Sequence, residues 1–253
     1  MDVLKLLLKN RKQWWFLTSI VAMGGFIGLI ISLTRSPIYE ATSMFSISID
    51  YTQTGALTDI QEDQVMRNIG YIMTSDKVMQ ATFEKIKDMN CIISREDLDD
   101  QSFLDRQDAS WFLRIRSDDP YCAMNIVNTW AEIADEVLQE GLFHAIVVDA
   151  NNSILANLKT CLIGFNPLNH YNSNCGFSDI NEVQYQINTL GSIISSENEL
   201  SDGLMPALSI NLVKKAAMPN DPVQNNRNLL VLSGMMAGFF MSLLFFTIKS
   251  ESP

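Results

Sequence analysis

The residues that could do chemistry are few, and the densest group of them is a run of carboxylates. Glu96, Asp97, Asp99 and Asp100 lie in the stretch REDLDD. Two carboxylates several ångströms apart can hydrolyse a glycosidic bond, one as the acid and the other as the base or nucleophile. Acidic residues in a continuous run, however, are typical of a solvated surface. We therefore predict no catalytic role for them.

The two histidines of the chain, His144 and His170, are also poor candidates. His144 follows Leu142 and Phe143 in an apolar helical pattern, and His170 lies in an Asn-rich stretch without an obvious carboxylate or nucleophile partner. No Gly-x-x-x-x-Gly-Lys-Ser/Thr motif is present, which excludes a nucleotide phosphate loop of that kind. We expect no catalytic residue, no metal and no cofactor.

The remaining reactive groups are the four cysteines, Cys91, Cys122, Cys161 and Cys175. Their spacing resembles no zinc motif. Four cysteines allow three disulfide connectivities, and the sequence does not choose among them. Because Cys161 and Cys175 enclose a loop-like, Asn-rich stretch, a disulfide between these two is the preferred prediction. Cys122 lies in an apolar helical pattern, where a plain buried thiol is the alternative.

Two uncharged stretches near the chain ends are candidate membrane helices, and they would anchor the segment between them. Residues 13–34 and 229–248 contain no charged residue, and about 20 residues at 1.5 Å per residue cross about 30 Å of hydrocarbon. Trp14 and Trp15 suit a headgroup interface. No small-residue cleavage site follows the first stretch, so we predict a retained membrane helix rather than a signal peptide. The sequence thus indicates two transmembrane helices.

Basic residues near the spans predict the orientation. Lys5, Lys9, Arg11 and Lys12 precede the first span, and such residues favour the cytoplasmic side. We therefore expect both termini in the cytoplasm and a multi-pass protein of the inner or plasma membrane. The predicted order is a cytoplasmic segment at 1–12, a span at 13–34, an extracytoplasmic domain at 35–228, a span at 229–248 and a cytoplasmic tail at 249–253.

This topology also separates the charges. The whole chain carries −11, while residues 1–12 carry four basic and one acidic residue and residues 249–253 carry one of each, so the segment between them carries −14. Nucleic acid and anionic headgroups would be repelled by such a segment, so we expect no nucleic-acid partner. The four cysteines lie in an oxidising compartment in this arrangement, where disulfides can form.

The middle segment shows both helical and strand periodicity, which predicts an α+β domain between the two spans. Ser75 and Ser94 are candidate N-caps, and Pro120 after Asp118 or Asp119 suits the first turn of a long helix of about 25 residues. The predicted elements are a strand in YEATSMFSISID, helices over 61–73 and after Ser75, a turn at Ser94, a strand in WFLRIRS, the long helix, a helix over 179–200 and a strand in PALSINLVKKAA.

Several of these stretches, taken in order, resemble the Wzz-type polysaccharide co-polymerases, or chain-length determinants, and the related membrane adaptors of bacterial tyrosine kinases. The similar stretches are KNRKQWW, SPIYEATSMFSI, IMTSDKVMQATFEKI, WFLRIRSDDPYCAMNIVNTWAEI and KKAAMPNDPVQNNRNLLVLSGMMAG. Residues 141–203 match nothing in that family. The motif residues in this chain are Pro37, Tyr39, Asp119, Pro120, Asn128, Pro219 and Pro222.

The resemblance implies a small α/β domain close to the membrane, a longer helical portion that projects from it, and closed ring oligomers. In this chain we expect a helical insertion around 141–203. Independently, Gly24 and Gly28 form a Gly-x-x-x-Gly pair in the first span, and Gly234 and Gly238 form one in the second. Such pairs let helix backbones approach closely in lipid. The sequence leaves open whether that contact lies within one chain or between chains.

Three functions remain compatible with these observations. The first is a non-enzymatic scaffold that regulates the length, polymerisation or export of a surface polysaccharide, with a polymerase and a glycan as partners. The second is an adaptor that activates a cytoplasmic tyrosine kinase, and the third is a structural subunit of another membrane assembly. The short segments at 1–12 and 249–253 offer little surface for a kinase, which favours the first.

Overall fold

A computed structural model of the protein describes residues 11–34, 36–89, 91, 93–163, 177, 179–223 and 227–251. It divides into two compact units: a terminal unit formed by the two ends of the chain, up to Tyr39 and from Asn220, and a middle domain over Glu40–Pro219. The elements are α1 (Arg11–Thr34), β1 (Tyr39–Ile49), α2 (Tyr51–Thr54), α3 (Asp59–Met73), α4 (Asp76–Lys87), α5 (Arg95–Gln101), β2 (Ser102–Gln107), β3 (Ser110–Ser117), α6 (Pro120–Ile163), α7 (Ile180–Leu200), β4 (Leu208–Lys214) and α8 (Arg227–Glu251).

The terminal unit consists of the two apolar helices α1 and α8. Within the described residues, one helix meets the length and composition of a membrane span, through Leu17–Thr34 of α1. The apolar stretch counted in α8, Asn228–Leu244, is shorter. The predicted second span therefore stays a prediction, although the helix that would form it is continuous to Glu251.

The middle domain contains a four-stranded sheet in the order β2-β3-β1-β4. Strand β1 pairs antiparallel with β4, and β2 pairs antiparallel with β3. The Ile47 N–H of β1 donates to the Ala109 carbonyl just before β3, and Arg116 at the end of β3 bonds Glu40 at the start of β1. These two contacts show that β1 and β3 also run in opposite directions.

One face of the sheet carries the core. Phe45 and Ile47 alternate with solvent-facing residues along β1, which agrees with the predicted strand. They are buried in one cluster with Leu113 of β3, Ile210 of β4 and Trp130 of α6. The predicted α+β class of the middle domain is confirmed.

Local capping signals place the shorter helices where the sequence predicts them. The Ser75 side chain accepts a hydrogen bond from the Val78 N–H at the start of α4, and Ser94 accepts from the Asp97 N–H at the start of α5. Each bond satisfies an N–H that would otherwise lack an intrahelical partner. Both predicted N-caps are confirmed.

The long helix α6 is longer than predicted. It spans 44 residues rather than about 25, which at 1.5 Å per residue is about 66 Å. The prediction was too short because the apolar pattern weakens after Leu138, whereas packing against α7 sustains the helix. At Gly141, an added Cβ would lie 3.1 Å from Leu204 Cδ1, so the glycine serves close packing and does not end the helix.

Helices α6 and α7 form a hairpin within the middle domain. The predicted helical segment around 141–203 is helical over 141–163 and 180–200 among the described residues. Cys161 and Val183 are buried in this hairpin. Two elements, α2 and β2, were not predicted.

Candidate functional site

The resemblance motif places Asp119 and Pro120 in front of α6, and the structure shows what they do there. The Asp119 side chain accepts a hydrogen bond from the Tyr121 N–H at 2.8 Å, and the Asp119 carbonyl accepts from the Ala123 N–H. Pro120 occupies the first helical position, where a missing N–H costs nothing. Asp119, rather than Asp118, is therefore the cap that starts the helix.

Two turns into α6, Asn128 contacts a segment far away in sequence. Its Oδ1 accepts from the Ala216 N–H at 2.7 Å, and its Nδ2 donates to the Ala216 carbonyl at 3.0 Å. Ser43 of β1 donates to the same Oδ1 at 3.0 Å and accepts from the same N–H at 3.2 Å. We call Ser43, Asn128 and Ala216 the Asn128 clamp. It joins β1, α6 and the segment after β4.

One turn further along α6, Glu132 extends the same contact. Lys215, next to Ala216, donates to Glu132 Oε1 at 2.8 Å, and Lys85 of α4 lies 3.7 Å from Glu132 Oε2. The hydrogen bond from Lys215 holds the pKa of Glu132 below its usual value, against a smaller opposing effect of burial. Asn128 and Glu132 thus lie on the same face of α6. They bind Ala216 and Lys215, two successive residues of the segment that runs to Pro219.

The other motif residues lie at the ends of this connection. Tyr39 begins β1, and Pro37 lies just before it in the terminal unit. In the same unit, the Val223 N–H, one residue after Pro222, donates to the Ile38 carbonyl at 2.8 Å. Pro222 cannot donate such a bond because it lacks an N–H. The two chain ends are therefore tied together directly beside both proline positions.

The glycines of α1 and α8 face each other within one chain. A Cβ on Gly24 would collide with the Gly234 carbonyl oxygen, and a Cβ on Gly234 would collide with that of Gly24. Gly28 lies against the backbone of Leu230 in the same way. The sequence did not decide whether the Gly-x-x-x-Gly contact lies within one chain or between chains. In this structure, the contact lies within one chain.

Gly238, the second glycine of the Gly-x-x-x-Gly pair in α8, lies one turn after Gly234. A Cβ there would come within 2.8 Å of the Ile20 carbonyl oxygen and 3.2 Å of Val21 Cα. Gly24, Gly28, Gly234 and Gly238 together form what we call the glycine crossing. It lets two backbones touch, which is how helices associate in lipid when no hydrophobic effect drives them together.

Large apolar side chains are exposed on both helices among the residues that the structure describes. Trp15, Phe26, Leu232 and Phe240 are among the large side chains that point away from the glycine crossing and are exposed. Such a surface is unfavourable in water and favourable in hydrocarbon. This distribution, with small residues at the helix contact and large apolar residues outside, agrees with a membrane location for α1.

Among the described residues, the groups that could do chemistry form structural contacts. His144 Nδ1 lies 2.6 Å from Glu197 Oε2, joining α6 to α7, which is a structural contact. His170 lies outside the described residues. Among the residues that are described, no three His, Cys, Asp or Glu side chains converge as a metal site would require. Asp97 accepts from Ser94 as part of the α5 cap, and Asp99 pairs with Arg95.

One disulfide lies where the sequence suggested a free thiol. Cys91 and Cys122 are bonded, with their Cα atoms 5.6 Å apart. Cys122 is therefore not the plain buried thiol that the apolar pattern of α6 suggested. The sequence alone does not show that two cysteines 31 positions apart lie close together. The predicted bond between Cys161 and Cys175 stays a prediction, since Cys175 lies outside the described residues.

Comparison with known proteins gives matches at the level of structure alone. No family model and no curated protein matches the sequence. A full-length bacterial polysaccharide co-polymerase aligns over 99% of both chains, with 12% identity and a TM-score of 0.35. A mutant of the Shigella flexneri lipopolysaccharide O-antigen chain-length regulator aligns over 73% of this chain and 99% of its own, with 10% identity and a TM-score of 0.19.

Both matched proteins are of the class that the sequence motifs indicated. Because both TM-scores are low, the function proposed below rests on the residues and contacts of this chain.

Proposed function

We propose that this chain is a membrane scaffold, without enzymatic activity of its own, that regulates the length, polymerisation or export of a cell-surface polysaccharide. The observation that carries the proposal is the Asn128 clamp. Three stretches that resemble the co-polymerase family, around Ser43, Asn128 and Ala216, are separated by more than 80 residues each and meet in one hydrogen-bonded contact. Motifs that matched by chance would have no reason to converge in this way.

The chemistry of the described residues supports a scaffold rather than an enzyme. The polar side chains with well-defined hydrogen bonds hold structural elements together. Asn128 binds Ala216, Glu132 binds Lys215, and Asp119 caps the start of α6. A catalytic site would instead bring a nucleophile, an acid or a base to a shared cleft.

The two apolar helices of the terminal unit support the arrangement that we propose in the membrane. Both α1 and α8 span the bilayer, with both termini in the cytoplasm and the middle domain outside. Lipid surrounds the helix pair, and several copies form a homo-oligomeric ring through lateral contacts of their middle domains. A polysaccharide polymerase and the growing glycan are the proposed partners.

The proposal is tested in cells that carry the gene. We expect deletion to change the length distribution of a surface polysaccharide on a carbohydrate-stained gel, and the wild-type gene to restore it. A variant with Asn128→Leu should restore it only partly, because the clamp is lost. An unchanged distribution and amount would contradict the proposal, and a change confined to phosphotyrosine levels would favour the kinase adaptor instead.

A further inference from the structure

Two ion pairs join α4 to α6 at matching intervals. Lys77 Nζ lies 3.1 Å from Glu140 Oε2, and Lys85 Nζ lies 3.7 Å from Glu132 Oε2. The paired residues are two helical turns apart on each helix and occur in opposite order, so the two helices lie antiparallel and side by side. We call positions 77, 81 and 85 of α4, together with positions 132, 136 and 140 of α6, the Lys–Glu ladder.

The middle position of the ladder lacks a lysine. By the same spacing, position 81 lies opposite Glu136, but position 81 holds an alanine. Both residues are exposed, and Glu136 forms no salt bridge within the described residues. Lys215, the other lysine near the ladder, binds Glu132 instead. The ladder therefore leaves the carboxylate of Glu136 without a counter-charge.

The small side chain at position 81 also leaves a groove open between the two ion pairs. The groove has a volume of about 650 Å³, which is in the range of small-molecule sites. It is lined by Lys77, Lys85, Glu136 and Glu140 and by the apolar side chains of Ala81, Ile133 and Val137. The two ion pairs lie about 12 Å apart along the helices. A compact ligand fits between them, whereas a helix laid along the groove would have to break both pairs.

The charges around the groove favour a cationic ligand. Lys77 and Lys85 are each paired with a glutamate, while Glu136 is not. The segment between the chain ends carries −14, so an anionic ligand would be repelled. An ammonium group would supply the missing positive charge at Glu136 and form a charge-assisted hydrogen bond with it. Each lysine ammonium also has three N–H donors, more than its one glutamate partner needs, so it can bind a neutral hydroxyl as well.

We propose that the α4–α6 groove binds a sugar unit with a free amino group, and that its ammonium pairs with Glu136 where a lysine at position 81 would otherwise lie. The unpaired carboxylate is the reason for the ammonium. The choice of a sugar as its carrier rests on the proposed function, in which a glycan is a partner of this chain. A sugar ring presents hydroxyls to Lys77 and C–H groups to Ile133 and Val137.

Binding to the full chain in nanodiscs, measured by titration calorimetry at slightly acidic pH, tests the ligand. The probes are a glucosamine trisaccharide, its N-acetylated counterpart and a trilysine peptide. N-acetylation removes the positive charge and keeps the sugar rings, so we expect a Kd at least about tenfold higher for the acetylated form. Equal Kd values for the two sugars would overturn the inference. Trilysine that binds as tightly as the glucosamine trisaccharide would overturn the assignment to a sugar.

Two matched lysine substitutions test the groove. Ala81→Lys supplies the missing partner of Glu136, so it should raise the Kd for the glucosamine trisaccharide at least about tenfold, as should Glu136→Gln. Gln80→Lys adds the same charge to α4 at an exposed position that does not line the groove, and should change the Kd by about twofold at most. An equal loss in both lysine variants, or an unchanged Kd in Glu136→Gln, would show that the probe responds only to net charge and would overturn the site.

The binding experiment and the deletion experiment fail separately. A wild-type chain that binds none of the probes would overturn the amino-sugar site, while a changed length distribution in the deletion strain would still support the scaffold. Selective binding of the glucosamine trisaccharide, together with an unchanged polysaccharide in the deletion strain, would support the site and reject the scaffold.

Discussion

Asn128 holds Ala216 with both ends of its side-chain amide, accepting from its N–H at 2.7 Å and donating to its carbonyl at 3.0 Å. An amide that pairs with both groups of one residue replaces the pairing that a neighbouring strand would supply. The segment after β4 has left the sheet at this point, and its buried N–H would otherwise lack a partner. Asn128 therefore fixes the path of the chain between the sheet and Pro219.

The first prediction is that Asn128→Leu destabilises the middle domain. The substitution leaves the Ala216 N–H with the longer bond to Ser43 alone and the Ala216 carbonyl without its partner, which costs about 2 kcal/mol. A domain of this size loses about 2–4 °C in Tm for each kcal/mol, so we expect a fall of about 4–8 °C by near-UV circular dichroism.

Asn125 supplies the matched control for that experiment. It lies three residues earlier on α6, and its Nδ2 is buried without a hydrogen-bond partner in the part of the chain that the structure describes. Removing an unpaired polar group is neutral or stabilising. Asn125→Leu should therefore keep or raise Tm, and an equal loss in both variants would show that the clamp contributes nothing specific.

The Asn128 clamp also shows which features could be predicted from the sequence and which could not. Asn128 stood out as a motif residue, but its partner could not be predicted, because Ala216 lies 88 positions away and has no polar side chain. Helix α4 was predictable because the Ser75 cap and the apolar spacing are both local. Strand β2 was missed because SFLDRQ holds two apolar residues, and its pairing with β3 decides its conformation.

A second prediction concerns the glycine crossing and uses two adjacent glycines. A Cβ on Gly24 would collide with the Gly234 backbone, whereas a Cβ on Gly25 would meet only the flexible Met235 side chain. Backbone cannot yield without separating the helices, but a methionine can change rotamer. We expect Gly24→Ala to lower the midpoint of SDS-induced unfolding and Gly25→Ala to change it much less.

The same comparison can fail in a clear way. If both alanine variants unfold at the wild-type midpoint, then α1 and α8 do not touch through Gly24, and the glycines serve another contact. Gly24→Leu strengthens the test because its larger side chain must push the α8 backbone further away.

A third prediction follows from the lowered pKa of Glu132. The hydrogen bond from Lys215 lowers this pKa in the folded state, so the contact stabilises the fold above the unfolded value of about 4.3. That stability is lost as the pH falls through the folded pKa. We expect the Tm difference between wild type and Glu132→Gln to be largest near neutral pH and to shrink below about pH 4.

Glu136 on the same helix controls for a general effect of acid. It is exposed and forms no salt bridge within the described residues, so Glu136→Gln should leave Tm close to the wild-type value. A Glu132→Gln curve that runs parallel to wild type through the acid range would remove the pKa argument. The effect should be small in any case, because exposed ion pairs contribute about 0–1 kcal/mol.

The last prediction concerns the disulfide between Cys91 and Cys122. The bond ties the segment between α4 and α5 to the first turn of α6, and it closes a loop of 31 residues. A loop of that length restricts the unfolded chain enough to contribute about 3–4 kcal/mol to stability. We expect Cys91→Ala/Cys122→Ala to lower Tm by about 6–16 °C. Non-reducing peptide mapping should recover the Cys91 and Cys122 peptides as one linked species. Recovery of either cysteine alkylated without prior reduction, in protein taken from its native membrane, would contradict the bond. In that case, packing alone would hold the first turn of α6 in place.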